Sequence, residues 1–253
     1  MQIISSLHEW RIIRQSLSQQ TIGFVPTMGH LHQGHVSLCR QSLAENKITV
    51  ASIFVNPTQF NQPSDFQLYP RTLDADSELL QSEKIDYLFV PEADEMYADK
   101  YEMQVIETNL SQQLEGQYRP GHFNGMLTVV LKLLNLVQAR RAYFGEKDYQ
   151  QLLLVKKMAQ AFFLSTEIIA CKTIRAEDHL ALSSRNSRLT SAERQHATHF
   201  PRLLQRTDLS VEKITAELQA LGFKVDYIVE QWGRRLGAVW LGDIRLIDAM
   251  DVE

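Results

Sequence analysis

The segment Pro26-Thr27-Met28-Gly29-His30-Leu31-His32-Gln33-Gly34-His35 gathers three imidazoles and two glycines behind a short apolar run, Ile22-Gly23-Phe24-Val25. A helical pattern begins near Gly34. Where a strand turns into a helix, the first N–H groups of the helix lack internal partners and the positive end of its dipole faces the turn, which makes an anion site. His32 and His35 are three apart and share one side of the first helical turn, where their ring N–H groups could converge on a phosphate. Two other readings stand beside this one. The histidines could cap and pack the helix start, or His30, His32 and His35 could hold a metal. The metal reading is the weakest, because the chain offers no Cys-x-x-Cys or His-Glu-x-x-His companion.

Other segments carry similar chemistry at similar junctions. Asn56 and Gln59, in Phe54-Val55-Asn56-Pro57-Thr58-Gln59-Phe60, follow a second apolar run, and neutral amides there can bond hydroxyls and a carboxylate without adding charge. An Asn-Pro turn with a surface Gln is the plainer alternative. In Phe144-Gly145-Glu146-Lys147-Asp148-Tyr149-Gln150-Gln151, Gly145 permits close backbone approach, Lys147 is a mobile cation suited to polyphosphate, and Gln151 lies one turn on. A solvent-facing Lys beside an N-cap Asp is the competing view. Ala181-Leu182-Ser183-Ser184-Arg185-Asn186 is a polar loop able to close over a triphosphate, or an ordinary linker. Arg119-Pro120-Gly121-His122 is a basic turn, either a phosphate contact or a helix entry.

Elements must hold these residues. Ser6-Leu7-His8-Glu9 has capping-box spacing and opens a first helix to about Ser18. Ile22–Val25, ended by Pro26, reads as a strand, and Ile48–Val55 as a strand buried on both faces. Helices are expected over Gly34–Glu45, Leu73–Glu83, Phe123–Val137 and Tyr149–Phe162, with strands at Tyr87–Val90, Ala142–Phe144 and Thr166–Ala170. This alternation predicts a doubly wound parallel α/β sheet over residues 1–174, with ligands beyond the carboxyl ends of its strands. Residues 175–253 change in texture: helical segments at Ser191–Gln205 and Val211–Leu221, then strand-like pieces at Val225–Val229, Ala238–Leu241 and Arg245–Ile247. They predict a smaller α+β domain.

With 253 residues, 44% hydrophobic and 22% charged, the chain has enough apolar material for a large core plus an appendage. No apolar run approaches the roughly 20 residues of a membrane span. A formal net charge of −4 without a Lys/Arg block argues against nucleic acid as the main partner. The start, Met1-Gln2-Ile3-Ile4-Ser5-Ser6, shows no secretory pattern, and Cys39 and Cys171 read as buried thiols, so a cytoplasmic protein is expected.

Taken together, these segments resemble the pantoate–β-alanine ligase (pantothenate synthetase) family, within the Rossmann-like nucleotidyltransferases that carry a His-x-Gly-His (HIGH-type) phosphate motif. The resemblance runs from about Gly23 to Asn186 and resumes near Gly222–Tyr227 and Arg245–Asp248. It implies an ATP-dependent condensation of pantoate with β-alanine through a pantoyl adenylate, with magnesium accompanying ATP, in a homodimer. His32, His35, Lys147 and Arg185 would then act in catalysis. ATP would lie along Met28, Gly29, His30, Leu31, His32, Gln33, Gly34 and His35, with Gly145, Glu146, Lys147 and Asp148, Ile174, and the Leu182-Ser183-Ser184-Arg185 loop. Gln59, Gln151, Asn56, Arg119 and His122 would serve pantoate and β-alanine. His30 departs from the family pattern, where a small residue is usual, and His179 replaces a usual Gly. The stretch Ile228–Gly237 is short for the family. A plain nucleotidyltransferase acting on a phosphorylated acceptor and a non-catalytic nucleotide-binding relative are the alternatives.

Overall fold

The computed structural model describes residues 1–252. Through the first part of the chain the elements are β1 (Gln2–Ile4), α1 (Leu7–Ser16), β2 (Ile22–Thr27), α2 (Gln33–Glu45), β3 (Ile48–Ile53), α3 (Pro63–Gln67), α4 (Leu73–Ser82), β4 (Tyr87–Phe89), α5 (Ala93–Met96), α6 (Glu115–Tyr118), α7 (His122–Val137), β5 (Arg141–Gly145), α8 (Tyr149–Ala161) and β6 (Glu167–Cys171). The strands form one sheet in the order β1-β4-β3-β2-β5-β6. Pairing is parallel from β1 to β4, β4 to β3, β3 to β2 and β2 to β5. This is the expected parallel α/β sheet. The chain steps outward from β2 to β3 and β4, then returns to place β5 on the other side of β2. Strand order therefore reverses between β2 and β5, and connections leaving their carboxyl ends diverge there to open a crevice.

Burial explains the elements. All of β3 except its first residue is buried, as its continuous apolar run requires. α7 buries most of its length, and Trp10 of α1 lies fully buried with its indole Nε1 donating to Leu136 O at 2.8 Å. Pro26 does not end β2. It stands beyond Phe24, the last residue paired with β5, so the N–H it lacks breaks no bond on that edge. Ser6 caps α1 by accepting from His8 N at 3.2 Å, while Glu9 accepts from Gln2 Nε2 at 3.3 Å instead of completing a capping box. β1 and the short helices α3, α5 and α6 carry too few periodic residues to be read from sequence.

By internal packing the chain divides into two compact units: residues 1–144 with 150–171, and Gly145–Tyr149 with the chain from Lys172 onward. The second holds α9 (Ser191–Ala197), α10 (His199–Leu204), α11 (Val211–Ala220) and an antiparallel sheet of β7 (Lys224–Gln231), β8 (Arg234–Leu241) and β9 (Ile244–Asp251). Phe200, Ile214, Leu218, Phe223, Val239 and Leu246 form its core. The helix expected over Ser191–Gln205 is two helices. Pro201 cannot donate to the carbonyl one turn back, and the chain breaks at Thr198. Trp232 and Gly233, both at positive φ, close the β7–β8 hairpin within the stretch Ile228–Gly237. Among the described residues no helix is long and apolar enough to cross a membrane. Cys39 and Cys171 are buried in one apolar cluster and outside any disulfide.

Candidate active site

The turn from β2 to α2 is built around a carboxylate. Asp76, buried on α4, accepts the backbone N–H groups of His30 at 2.8 Å and Leu31 at 2.7 Å, and Thr72 donates to it at 3.1 Å. Thr27 Oγ1 accepts from Gly29 N at 3.1 Å while donating to Ser52 O at 2.7 Å. Gly29 has φ +82°, and a Cβ there would meet Asp76 and Ile53 at 3.1 Å, so the turn demands glycine. His30, at φ 51°, is left-handed as well, and its Nδ1 lies 3.4 Å from Thr72 Oγ1.

His32 is the N-cap of α2. Its Nδ1 accepts from Gly34 N at 3.1 Å, and Nδ1 of His35 accepts from His32 N at 3.3 Å, completing a capping box made of two imidazoles. The capping reading is therefore right as geometry, and it does not compete with the phosphate reading. An Nδ1 that accepts a backbone N–H carries no proton, so each neutral ring is the Nε2–H tautomer. Capping turns both rings into Nε2 donors at the helix start, with centroids 4.1 Å apart. Gln33 is exposed, and Gly34 lies between the two histidines.

Gln59 belongs to the same unit and is no surface residue. It is buried, and its Nε2 donates to Met28 Sδ at 3.0 Å, which joins the second segment to the first. Asn56 is fully buried and saturated: Nδ2 donates to Gln59 Oε1 at 3.2 Å and Gly125 O at 3.1 Å, and Oδ1 accepts from Tyr97 OH at 2.7 Å and from Thr58. Such an amide holds Gln59 and leaves no group of its own for a substrate. Gly125 of α7 lies against the same turn, and a Cβ there would stand 2.4 Å from Thr58 O. His122 donates from Nδ1 to Gln59 O at 2.8 Å and accepts at Nε2 from Arg119 Nη1 at 3.1 Å. Arg119 also faces Glu115 at 3.7 Å. Gln151 is half-buried on the first turn of α8, whereas its neighbour Gln150 is buried and ties Leu110 O, Gln113 O and Glu115 N together.

In the second unit, Glu146–Asp148 form a single 3-10 turn between Gly145 and α8. The Lys147 side chain is 16% exposed, so it is not simply solvent-facing, and its Nζ meets Asp148 Oδ2 at 3.5 Å. Ile174 O accepts from Leu182 N at 3.0 Å and closes the loop that leads into Ser183, Ser184 and Arg185. Ser183 Oγ caps the following turn by accepting from Arg185 N at 3.3 Å. Inside the loop His179 has φ 69°, the left-handed conformation that a Gly would take without strain. Arg175 fixes the loop by donating to His179 O at 3.2 Å and, through two bonds of 2.7 and 3.0 Å, to Asp248 of β9. Burial pushes the Asp248 carboxyl up, against the pull of Arg175 and of the Lys147 charge. Burial also opposes ionisation of Asp178, but Arg194 and the Leu180 N–H together outweigh it and hold that carboxyl low.

Asp76, Tyr97, Arg175 and Arg234 escaped the sequence reading, and Gln150 stood in a quoted motif without a role. Each acts on a segment distant in the chain, and the first four sit in no glycine-rich or strand-ending motif. The one available signal was Asp248, inside the Arg245–Asp248 stretch.

The chain matches the family model described as pantoate-beta-alanine ligase over residues 2–251. It is 53% identical over 249 residues to a pantothenate synthetase of Legionella pneumophila (strain Lens), covering 98% of each chain. It is 51% identical to one of Coxiella burnetii (strain Dugway 5J108-111), covering 97% of this chain and 95% of the relative. Among solved structures it is similar to the pantoate-beta-alanine ligase of Francisella tularensis, complexed with beta-gamma ATP and beta-alanine, with a TM-score of 0.95, 43% identity, and coverage of 100% and 98%. The pantothenate synthetase of Thermus thermophilus gives a TM-score of 0.93 at 39% identity, covering 100% of this chain and 99% of that one. Near-complete coverage by the family model and by relatives above half identity has one meaning: the chain belongs to the pantoate-beta-alanine ligase family.

Proposed function

We propose that this chain joins pantoate to β-alanine with ATP in two steps. A pantoate carboxylate oxygen attacks the α-phosphorus, the bond to pyrophosphate breaks, and pantoyl adenylate remains. The β-alanine amine then attacks the acyl carbon, AMP leaves, and the amine proton passes to solvent. The observation that carries this reading is the imidazole capping box of α2, set beside the strand-order reversal of a chain in this family. In-line transfer at phosphorus needs positioned donors more than a covalent nucleophile. The Nε2 groups of His32 and His35 supply such donors for charge developing on the phosphate oxygens.

Met28–His35 and Gly145–Asp148 would hold the nucleotide, with Lys147 on the departing pyrophosphate. Ile174 and Leu182–Arg185 would bind it as well, Arg185 adding positive charge. Gln59 and Gln151 suit pantoate, whose hydroxyls and carboxylate call for neutral amides. Asn56, His122 and Arg119 hold the Gln59 turn in place. Among the described residues no group of three or more His, Cys, Asp or Glu side chains is arranged to bind a metal, and magnesium would enter as the MgATP substrate, held chiefly by phosphate oxygens. The buried thiols Cys39 and Cys171 support a cytoplasmic setting, and the family resemblance supports a homodimer.

The test is pyrophosphate release from ATP. It should require pantoate, and pantothenate and AMP should form once β-alanine is added. Release that ignores pantoate would sink the reading.

A further inference from the structure

We propose that Arg234, at the start of β8, is the positioning residue for Lys147; this rests on the function proposed above. One guanidinium holds both flanks of the lysine. Arg234 Nη2 pairs with Glu146 Oε1 at 3.2 Å, and its guanidinium carbon lies 5.0 Å from the centre of the Tyr149 ring. Glu146 immediately precedes Lys147, and Tyr149 follows two residues later. On its other side Arg234 Nη1 pairs with Asp251 Oδ1 at 2.5 Å, across the β8–β9 register that sets Arg234 opposite Asp251. The Arg234 and Glu146 side chains are 15% and 19% exposed, so that pair is largely shielded from water, whereas Asp251 stands in solvent.

Lys147 needs such an anchor. Its Nζ meets Asp148 at 3.5 Å, the long limit of a hydrogen bond, which fixes an ammonium poorly. A flexible four-carbon stem transmits whatever position its backbone takes. That backbone is one 3-10 turn, too short to be rigid alone. The sheet of β7, β8 and β9 is paired along both seams, and Arg234 is a side chain by which it grips the turn. The task suits arginine: a planar fork can pair with two carboxylates and lie over a phenol ring at once, whereas an ammonium cannot. Arg234 itself touches no reacting atom. It decides where Lys147 stands when pyrophosphate departs.

The test is a double-mutant cycle on pantoate-dependent ATP–pyrophosphate exchange, with Arg234→Gln made in the parent and in Lys147→Ala. Misplacing a catalytic cation by about 1 Å costs on the order of tenfold to a hundredfold, so R234Q should lower kcat for exchange by that much while KM for pantoate stays within about twofold. In the K147A background the same change should cost less than about twofold, because the residue it positions is gone. Attack of β-alanine on preformed pantoyl adenylate should run at the same rate in the parent and in R234Q. Asp251→Asn, an isosteric change at the other carboxylate on Arg234 and outside the nucleotide segment, should repeat the pattern and carries the test if R234Q does not fold. Equal losses in both backgrounds, or no loss in the parent background, overturn the proposal. Absence of exchange in the unmutated protein overturns the functional reading and this proposal with it, whereas an active parent isolates the role of Arg234.

Discussion

Nδ1 of His35 accepts the backbone N–H of His32 at 3.3 Å, and the two imidazoles lie 4.1 Å apart, so the cap of α2 and the orientation of both Nε2 donors are a single arrangement. Capping and catalysis can be separated by substitution. His32→Asn keeps an N-cap acceptor and should leave stability within about 0.5 kcal/mol, while removing the Nε2 donor. Losing one transition-state donor lowers rates by roughly 10²–10³, and that is the expected fall in pyrophosphate release for His32→Asn and for His35→Ala. Thermal unfolding and a pyrophosphate assay on the same preparations decide it; near-normal turnover in both variants would remove the histidines from the mechanism.

Gly125 and Asn56 together support Gln59, Asn56 Nδ2 donating to both Gln59 Oε1 and Gly125 O. A Cβ on Gly125 would stand 2.4 Å from Thr58 O and 2.7 Å from Gln59 N, so Gly125→Ala must push the turn outward. Overpacking of this kind costs about 1–3 kcal/mol. KM for pantoate should rise more than KM for ATP. Asn56→Ala should act in the same direction by removing the side-chain donor to the Gly125 carbonyl and the nearer of the two partners of the Tyr97 hydroxyl, at about 1–3 kcal/mol. Equal changes in both KM values would show that the turn does not serve pantoate.

Glu107 gives the stability an acid limb. Burial opposes its ionisation, but Lys157 at 2.5 Å and the N–H groups of Ser111, Asn109 and Leu110 outweigh it and hold the carboxyl at about 2, below the ordinary 4.5. A folded value below the unfolded one means stability that is fully present above about pH 4.5 and lost as pH falls toward about 2. Glu107→Gln should flatten denaturation midpoints across that window. An unchanged slope would show that other carboxylates govern acid unfolding.

His179 is exposed and left-handed at φ 69°, so its side chain contributes little packing while its backbone is strained. His179→Gly should relieve strain worth up to about 1 kcal/mol, net of the greater freedom of glycine in the unfolded chain, and raise the thermal midpoint. Activity should be retained. A lower midpoint would show that the imidazole makes a contact worth more than the strain.

The sequence by itself determined the parallel α/β sheet, its strand-to-helix junctions and the residues at each, because apolar periodicity, glycine at turns and the run Gly29–His35 are local signals. The family was legible for the same reason: five short motifs in fixed order. Tertiary structure alone decided which polar residue does what. Asn56 and Gln59 look alike in sequence, yet Asn56 is saturated by Gly125, Tyr97 and Thr58 while Gln59 reaches Met28, and those partners lie up to 69 residues away. His30 and His179, read from sequence as departures from the family pattern, share a conformation that composition cannot show, since both stand at positive φ. Arg234 carried no local signal at all. A hydrogen bond or ion pair between distant segments exists only when packing brings its ends within about 3 Å, and no spacing rule along the chain encodes that closure.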